Sequence, residues 1–222
     1  MSTADQQRGV EIVRTPAVEG VSIVRGSIKI ETRGQPIDLS FERQWGQVYL
    51  VLDCSGSMSG YKLEQAKEGI IDFAKDAVRR EFLVGLIKFN SSATHICEPM
   101  RDIVSLERHL KIMMATGSTN MTDAIKMAHE HLKRVKCSRA IVIATDGLPN
   151  NVKTSIKAGQ LAKNDGIDII TIGTDDADRD FLSKLASQTE LSTKVSTEMF
   201  AKAISSASNL LPAPRKTNIC KK

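Results

Sequence analysis

The sequence predicts a three-layer α/β fold, in which helices cover both faces of a mostly parallel central sheet that has one antiparallel edge strand. Several runs of apolar residues have the length and composition of strands buried on both faces. Amphipathic segments of helical period separate these runs, which favours right-handed crossovers between parallel strands. The link at residues 90–93 is too short for a helical crossover, so the strand after it should pair antiparallel at an edge.

The first part of this fold begins with the apolar run Val48–Leu52, which leads directly into Asp53. A Ser/Gly-rich turn at Cys54–Gly60 follows. Apolar residues at helical spacing then predict a helix: Leu63, Ala66, Ile70, Phe73, Ala74 and Ala77. Phe82–Phe89 is predicted as the second strand and Thr94–Glu98 as the short edge strand.

The middle of the chain contains two predicted helices followed by one predicted strand. Leu106, Leu110 and Met113 form a short helical stripe, and residues 115–120 form a loop. A longer helix is predicted from its apolar positions: Met121, Ala124, Ile125, Ala128, Leu132 and Val135. Ala140–Ala144 is a further buried strand that ends at Thr145–Gly147.

The last part repeats the alternation of helix and strand. Ile156–Ala162 is predicted as a helix and Ile167–Ile172 as a strand. Asp178 is the expected N-cap of a helix that contains Phe181, Leu182, Leu185 and Ala186. A short strand is expected near Lys194–Val195. A final helix carries Phe200, Ala203, Ile204, Ala207 and Leu211, and Pro212 and Pro214 should end it.

Residues 1–46 do not follow this alternation. Val21–Ile30 and Ile37–Phe41 each alternate apolar and polar residues around Gly34–Pro36, which predicts a β-hairpin. We therefore predict three regions: an N-terminal extension at 1–46, a domain at 47–211 and a basic C-terminal tail at 212–222.

Composition narrows the function. The 222 residues carry 31 Lys and Arg against 26 Asp and Glu, a net charge of +5 to which the C-terminal tail contributes. Aromatic residues are scarce, at 4%. Nucleic-acid binding is therefore disfavoured, because it needs a clustered basic face with stacking aromatics. No apolar leader and no apolar run of about 18 residues is present. Because neither feature is visible, we expect a cytoplasmic protein with free thiols. Cys54 and Cys97 are expected to be small buried side chains.

Three segments bring oxygen-bearing side chains to the carboxyl edge of the predicted sheet, where open α/β sheets bind their ligands. They are Asp53–Ser57 after the first strand, Gly117–Asn120 before a helix, and Thr145–Gly147 after another strand. Alternate residues of a tight turn point the same way, so Asp53, Ser55 and Ser57 can converge. Gly56 is expected to let the backbone bend. Two carboxylates with hydroxyls and no His or Cys form a hard site, suited to Mg²⁺, Mn²⁺ or Ca²⁺ and poor for zinc.

At these residues the chain resembles the von Willebrand factor A domain family. Asp53–Gly60 resembles the D-x-S-x-S metal-ion-dependent adhesion site (MIDAS), including the bacterial form that continues S-G-S-M. Gly117–Met121 resembles the threonine loop of that site, with Ser118 where many relatives have Gly. Thr145–Asn150 resembles its T-D-G-x-P-N segment, and Ile172–Asp176 is similar to the next strand end. The resemblance covers about residues 46–211 in the family's order and implies a Rossmann-like fold.

The resemblance also implies roles for the site residues. Ser55, Ser57 and Thr119 would touch the metal, expected to be Mg²⁺, while Asp53 and Asp146 would hold it largely through waters. An Asp or Glu of a protein partner would complete the coordination. The expected function is thus a metal-dependent protein-interaction module without catalytic residues, working beside an AAA+ ATPase or in a multi-protein complex.

Two alternatives stay open at this point, a Mg²⁺-dependent hydrolase or phosphotransferase and an RNA-associated A-type domain. Against catalysis, Ser55 stands where a dehalogenase-type phosphatase needs its second Asp, and no phosphate-binding loop, dinucleotide fingerprint or nucleophile elbow is present.

The rival threonines Thr116 and Thr122 are less favoured than Thr119, which lies directly before the helix. The His129–His131 segment is not expected to bind metal, because residues i and i+2 do not share a helix face. His95 and His109 are expected at the surface.

Overall fold

The computed structural model describes residues 45–213 together with the strand segments 18–24, 27–32, 37–40 and 219–220. The chain divides into two compact units. Residues 1–43 and 216–222 form one, and residues 44–215 form the other. The strands of the first unit are described by their backbone alone.

The small unit is a four-stranded antiparallel sheet. Its strands are β1 (Val18–Val24), β2 (Ser27–Thr32), β3 (Ile37–Ser40) and β10 (Ile219–Cys220), in the order β1-β2-β3-β10. The alternating run expected as one strand is divided between β1 and β2, in which Ile23 pairs with Ile28 and Val21 pairs with Ile30. The sequence carried this signal, since the apolar positions change from odd to even numbers between residues 23 and 28.

The large unit is built on a six-stranded sheet. Its strands are β4 (Gly46–Asp53), β5 (Phe82–Phe89), β6 (Ala93–Met100), β7 (Arg139–Thr145), β8 (Asp168–Gly173) and β9 (Ser192–Lys194). The order is β6-β5-β4-β7-β8-β9, and only the pair β5–β6 is antiparallel. The predicted mostly parallel sheet with one antiparallel edge strand is confirmed. β4 lies in the middle of the sheet, which explains its unbroken apolar run.

Six α-helices within residues 45–213 cover this sheet. They are α1 (Tyr61–Arg79), α2 (Ile103–Lys111), α3 (Met121–Leu132), α4 (Val152–Asn164), α5 (Arg179–Leu185) and α6 (Phe200–Ser206). One core joins α1, α2 and α6 to one face of the sheet, and a second core joins α3, α4 and α5 to the other face. The predicted three layers are therefore confirmed. None of the helices in the described part of the chain is long and apolar enough to span a membrane.

Two helix ends differ from the prediction. α3 ends at Leu132 instead of continuing to Val135, because Arg139 Nη1 donates to the carbonyls of Leu132 and Lys133 at 3.3 Å and satisfies groups that a helix end leaves unpaired. The final helix changes at Ala207 into a 3₁₀ turn that ends at Leu210. The regular helix therefore stops six residues before Pro212, and Pro214 lies outside the described residues.

Candidate metal centre

The predicted metal ligands lie at the carboxyl edge of the large sheet, where β4 and β7 end side by side. These strands are paired in parallel, with Leu52 opposite Ala144. Asp53 ends β4, and Asp146 follows the last residue of β7. The pairing of two buried strands therefore sets the distance between two carboxylates that are far apart in sequence.

Asp53 is held through both of its carboxylate oxygens. The backbone N–H of Ser55 donates to Asp53 Oδ1 at 2.8 Å, and the hydroxyl of Thr145 donates to Asp53 Oδ2 at 2.6 Å. Both Asp53 and Thr145 are fully buried. The orientation of this carboxylate is thus fixed by the turn after β4 and by the end of β7.

A chain of hydrogen bonds joins the two serines to Asp146. Ser55 Oγ and Ser57 Oγ are 3.1 Å apart, and Ser57 Oγ donates to Asp146 Oδ1 at 2.8 Å. Ser55 and Asp146 are buried, whereas Ser57 is exposed. Four of the five predicted residues are therefore connected, and the group opens to solvent at Ser57.

Thr119, the fifth predicted residue, is positioned by its backbone. Its N–H donates to Asn150 Oδ1 at 3.0 Å, and its carbonyl accepts from the Asn150 N–H at 2.9 Å. The same loop is tied to the β4 turn, because Gly56 N–H donates to the carbonyl of Gly117 at 3.0 Å. Asn150 thus links the loop that carries Thr119 to the loop that carries Asp146, a role that the sequence did not reveal.

The rival threonines have other contacts. The hydroxyl of Thr122 lies within hydrogen-bond distance of the hydroxyls of Thr154 and Ser155, at 2.9 and 2.8 Å, between α3 and α4. Thr116 Oγ1 accepts a long bond of 3.4 Å from Asn90 Nδ2. These contacts favour Thr119 as the threonine of the site.

The electrostatics favour a cation. Burial raises the pKa of Asp53, the hydrogen bonds from Thr145 and Ser55 oppose that change, and the nearby charge of Asp146 raises the pKa further. Two carboxylates that repel each other in a buried place are stabilised by a positive charge between them. The donors are carboxylate and hydroxyl oxygens, so the residues fit a hard divalent ion.

Lys62 contributes a positive charge that the sequence did not predict. Its Nζ lies 2.6 Å from Asp146 Oδ2 and 2.7 Å from Asp176 Oδ2. Partial burial lowers the pKa of Lys62, but the bonds to the two carboxylates outweigh it and the net pKa is raised. The sequence contained an indication of these contacts. A lysine in the first turn of a helix is unfavourable next to the positive end of the helix dipole unless carboxylates lie nearby.

The backbone turns at Gly56 as expected, but the turn does not require a glycine there. Its φ is not positive, and a Cβ at this position would meet Gly117 O at an ordinary 3.5 Å. Near this site the glycines with a positive φ are Gly60, with φ of 74° directly before α1, and Gly117, with φ of 78°. A Cβ at Gly117 would also lie 2.5 Å from Ser91 Oγ.

Known proteins share parts of this chain's sequence and fold. Residues 47–209 match the von Willebrand factor type A domain family. Inter-alpha-trypsin inhibitor heavy chain H4 of Sus scrofa is 26% identical over 162 residues, which are 66% of this chain but only 17% of that protein. This chain therefore spans a small part of the length of the curated relative.

Two solved structures share the fold. The vWF domain of the type V pili tip protein Mfa5 from Porphyromonas gingivalis has a TM-score of 0.69 at 14% identity, over 76% of this chain and 95% of that one. Proximal thread matrix protein 1 from the mussel byssus, with a zinc-occupied MIDAS motif, has a TM-score of 0.65 at 18% identity, over 79% of this chain and 49% of that one. The predicted Rossmann-like fold is confirmed by these neighbours.

Proposed function

Because the chain belongs to the von Willebrand factor type A domain family, we propose that it is a divalent-metal-dependent module that binds a protein partner and has no catalytic activity. Domains of this family mediate protein–protein interactions and bind a divalent metal at the MIDAS. The observation that carries the proposal for this chain is the continuous hydrogen-bond network from Asp53 through Ser55 and Ser57 to Asp146.

The residues of this network, with Thr119, form the proposed ligand set. The hydroxyls of Ser55, Ser57 and Thr119 would contact the ion directly, and Asp53 and Asp146 would act largely through water. The ion, which we propose to be Mg²⁺, would supply an electrophilic centre for a carboxylate. An Asp or Glu of the partner would provide that carboxylate.

The surroundings of the site suit a protein partner. Ser57 is exposed, so an external carboxylate can approach from solvent. Two large apolar side chains next to the site in sequence are also exposed, Tyr61 by 58% and Leu148 by 48%. Exposed apolar residues near a polar centre are typical of protein-binding surfaces. We propose an AAA+ ATPase or a multi-protein complex as the partner, in the cytoplasm.

Catalysis by the serines is not favoured by their contacts. The hydroxyl of Ser57 donates to Asp146, and that of Ser55 faces Ser57. Activation of a serine nucleophile usually needs a base such as histidine, and a carboxylate like that of Asp146 is a much weaker base than imidazole. His95, His129 and His131 instead contact Tyr49, Asp165 and Glu98.

Metal binding is tested by titrating Mn²⁺ into the metal-free chain and measuring free Mn²⁺ by electron paramagnetic resonance. We expect one bound ion, which Mg²⁺ displaces. Ser57→Ala should weaken Mn²⁺ binding at least tenfold, an effect of about 1.4 kcal/mol or more. Asp165→Asn is the matched control, because this aspartate lies outside the network and contacts His129. Wild-type affinity in folded Ser57→Ala would contradict the proposed ligand set.

Partner recognition is tested with two further probes. Acetate added to the Mn²⁺-loaded chain should displace bound water and lower the water proton relaxation rate. Capture of a partner on the immobilised chain should be abolished by EDTA and by Ser57→Ala but kept by Asp165→Asn. An EDTA-insensitive partner would contradict metal-dependent recognition.

A further inference from the structure

A second group of metal-ligating side chains lies where β6 meets the end of α3. His95 and Glu98 belong to β6, and His131 belongs to the last turn of α3. The candidate ligand atoms of these three residues all lie within 4.8 Å of one another. Glu98 Oε1 is 3.7 Å from His95 Nε2 and 3.5 Å from His131 Nδ1. We call these three residues the His95 cluster.

A β-bulge places His95 and Glu98 on the same face of the edge strand. Residues three apart in a regular strand point to opposite faces. In β6, however, Leu86 pairs with Cys97 and the next residue, Ile87, pairs with His95, so Ile96 is an extra residue. The extra residue changes the phase of the strand and brings Glu98 to the side of His95 that α3 covers.

Tyr49 of β4 orients the carboxylate of the cluster. Its ring is fully buried, and its hydroxyl donates to Glu98 Oε2 at 2.8 Å and lies 3.0 Å from His95 Nε2. The ring passes over β5 at Gly85, where a Cβ would lie 2.5 Å from Tyr49 Cε1. A glycine inside a strand usually weakens the strand, but it allows another group to approach the backbone closely. Here Gly85 makes room for the phenol ring of Tyr49. Hydrogen bonds of this kind are what orient the ligands of metal sites.

The cluster is also accessible. The side chains of His95, His131 and Glu98 are 26%, 35% and 68% exposed. The two imidazole rings are stacked with centroids 4.4 Å apart and planes 6° apart. Because parallel ring planes do not meet, one ring must turn before both nitrogens can point at one ion. His131 is the more exposed of the two and is the ring that can turn.

We propose that His95, Glu98 and His131 bind a divalent transition-metal ion of the Zn²⁺ type. Two imidazole nitrogens and one carboxylate suit Zn²⁺, Co²⁺, Ni²⁺ or Cu²⁺ and are poor ligands for Mg²⁺. Three protein ligands leave one position of a tetrahedral ion open to water or to an outside ligand. The bound ion would tie the edge strand β6 to the end of α3.

This site is separate from the proposed MIDAS. Tyr49 precedes Asp53 by four residues in the same strand, which at a strand rise of roughly 3.3 Å per residue is about 13 Å. The histidine that the sequence made prominent, His129, is not part of the cluster, since its Nε2 contacts Asp165 at 2.6 Å. His129 and His131 therefore have different partners, and His95, which was expected at the surface, has a side chain that is 26% exposed.

The test uses the full chain carrying Asp53→Asn, which weakens the oxygen site. Calorimetric titration with Zn²⁺ should show one bound ion. Adding His131→Gln should lower the Zn²⁺ affinity at least tenfold, about 1.4 kcal/mol or more. His129→Gln is the matched control, because it changes the same residue type two positions away in the same helix. It should leave the Zn²⁺ affinity unchanged.

A second measurement needs no substitution. In nuclear magnetic resonance spectra of the unmodified chain, Zn²⁺ should shift the ring signals of His95 and His131 but not those of His129 and His109.

A further variant, Glu98→Gln, changes a mostly exposed side chain and should also weaken Zn²⁺ binding. Circular dichroism would establish that each variant is folded. Unchanged Zn²⁺ affinity in folded His131→Gln, or unshifted His95 and His131 rings at saturating Zn²⁺, would overturn the proposal.

Discussion

Replacing Thr145 by valine should destabilise the large unit, because the threonine hydroxyl supports a buried carboxylate. The bond from Thr145 Oγ1 to Asp53 Oδ2 is 2.6 Å long, and both residues are 0% exposed. Valine keeps the shape of threonine but cannot donate. A hydrogen bond to a charged group contributes roughly 1.5–3 kcal/mol, so the free energy of unfolding should fall by about that amount. For a domain of this size, the melting temperature should fall by roughly 3–12 °C.

The same substitution should weaken metal binding. Removing a residue that orients a metal ligand typically lowers the affinity about 10- to 100-fold. We therefore expect Thr145→Val to raise the Kd for Mn²⁺ by roughly tenfold or more. Stability is measured by chemical unfolding in EDTA, and Mn²⁺ affinity by paramagnetic resonance of the free ion.

Thr171→Val separates the two effects. Thr171 is also 0% exposed and its hydroxyl donates to the carbonyl of Leu182 at 3.1 Å, in β8 and away from the site. This variant should lose roughly 0.5–1.5 kcal/mol of stability and keep its Mn²⁺ affinity. If folded Thr145→Val bound Mn²⁺ as tightly as Thr171→Val, the role assigned to the Thr145–Asp53 bond would be refuted.

Two further substitutions test the packing and the charge balance. Gly69→Ala should lower the free energy of unfolding, measured in urea, by roughly 1–3 kcal/mol. Alanine favours helices, but its Cβ would lie 2.6 Å from the carbonyl oxygen of Ala201 in α6. A gain in stability would show that α6 moves aside. Lys62→Met should raise the Mn²⁺ affinity by roughly tenfold, because the ammonium group lies 2.6 Å from Asp146 Oδ2 and competes with the metal. An unchanged affinity in the same Mn²⁺ titration would show that Lys62 does not compete.

The sequence predicted the large sheet well because its strands are buried on both faces. β4, β7 and β8 lie inside the sheet and therefore carry unbroken apolar runs. Capping was also readable, since Asp178 accepts from the N–H of Phe181 as expected. The start of α4 was less clear. Asn151 caps this helix through the N–H of Thr154, so it begins at Val152, four residues before the apolar run that predicted it.

The residues of the proposed MIDAS could be predicted because they lie in short sequence motifs at the ends of buried strands and before a helix. Asp53, Ser55 and Ser57 lie in one turn, and Asp146 directly follows a strand paired with β4. For Lys62 the sequence indicated only a lysine in the first turn of α1 and not its partners, because Asp146 and Asp176 come from loops whose approach to α1 depends on the whole sheet. A local pattern thus gives the proposed ligands of this site but not the positive charge of Lys62 beside them.

The His95 cluster shows the opposite kind of encoding. His95 and Glu98 share a face through the bulge at Ile96, and Tyr49 reaches them because residue 85 has no side chain. Neither condition is visible in a sequence pattern. The two sites would also select ions unequally. Mg²⁺ is a poor match for imidazole nitrogens, whereas Zn²⁺ accepts oxygen ligands too. Zn²⁺ could therefore bind at both sites, whereas Mg²⁺ would bind only at the oxygen site. The two ions would occupy different sites if the nitrogen donors give the His95 cluster the higher affinity for Zn²⁺.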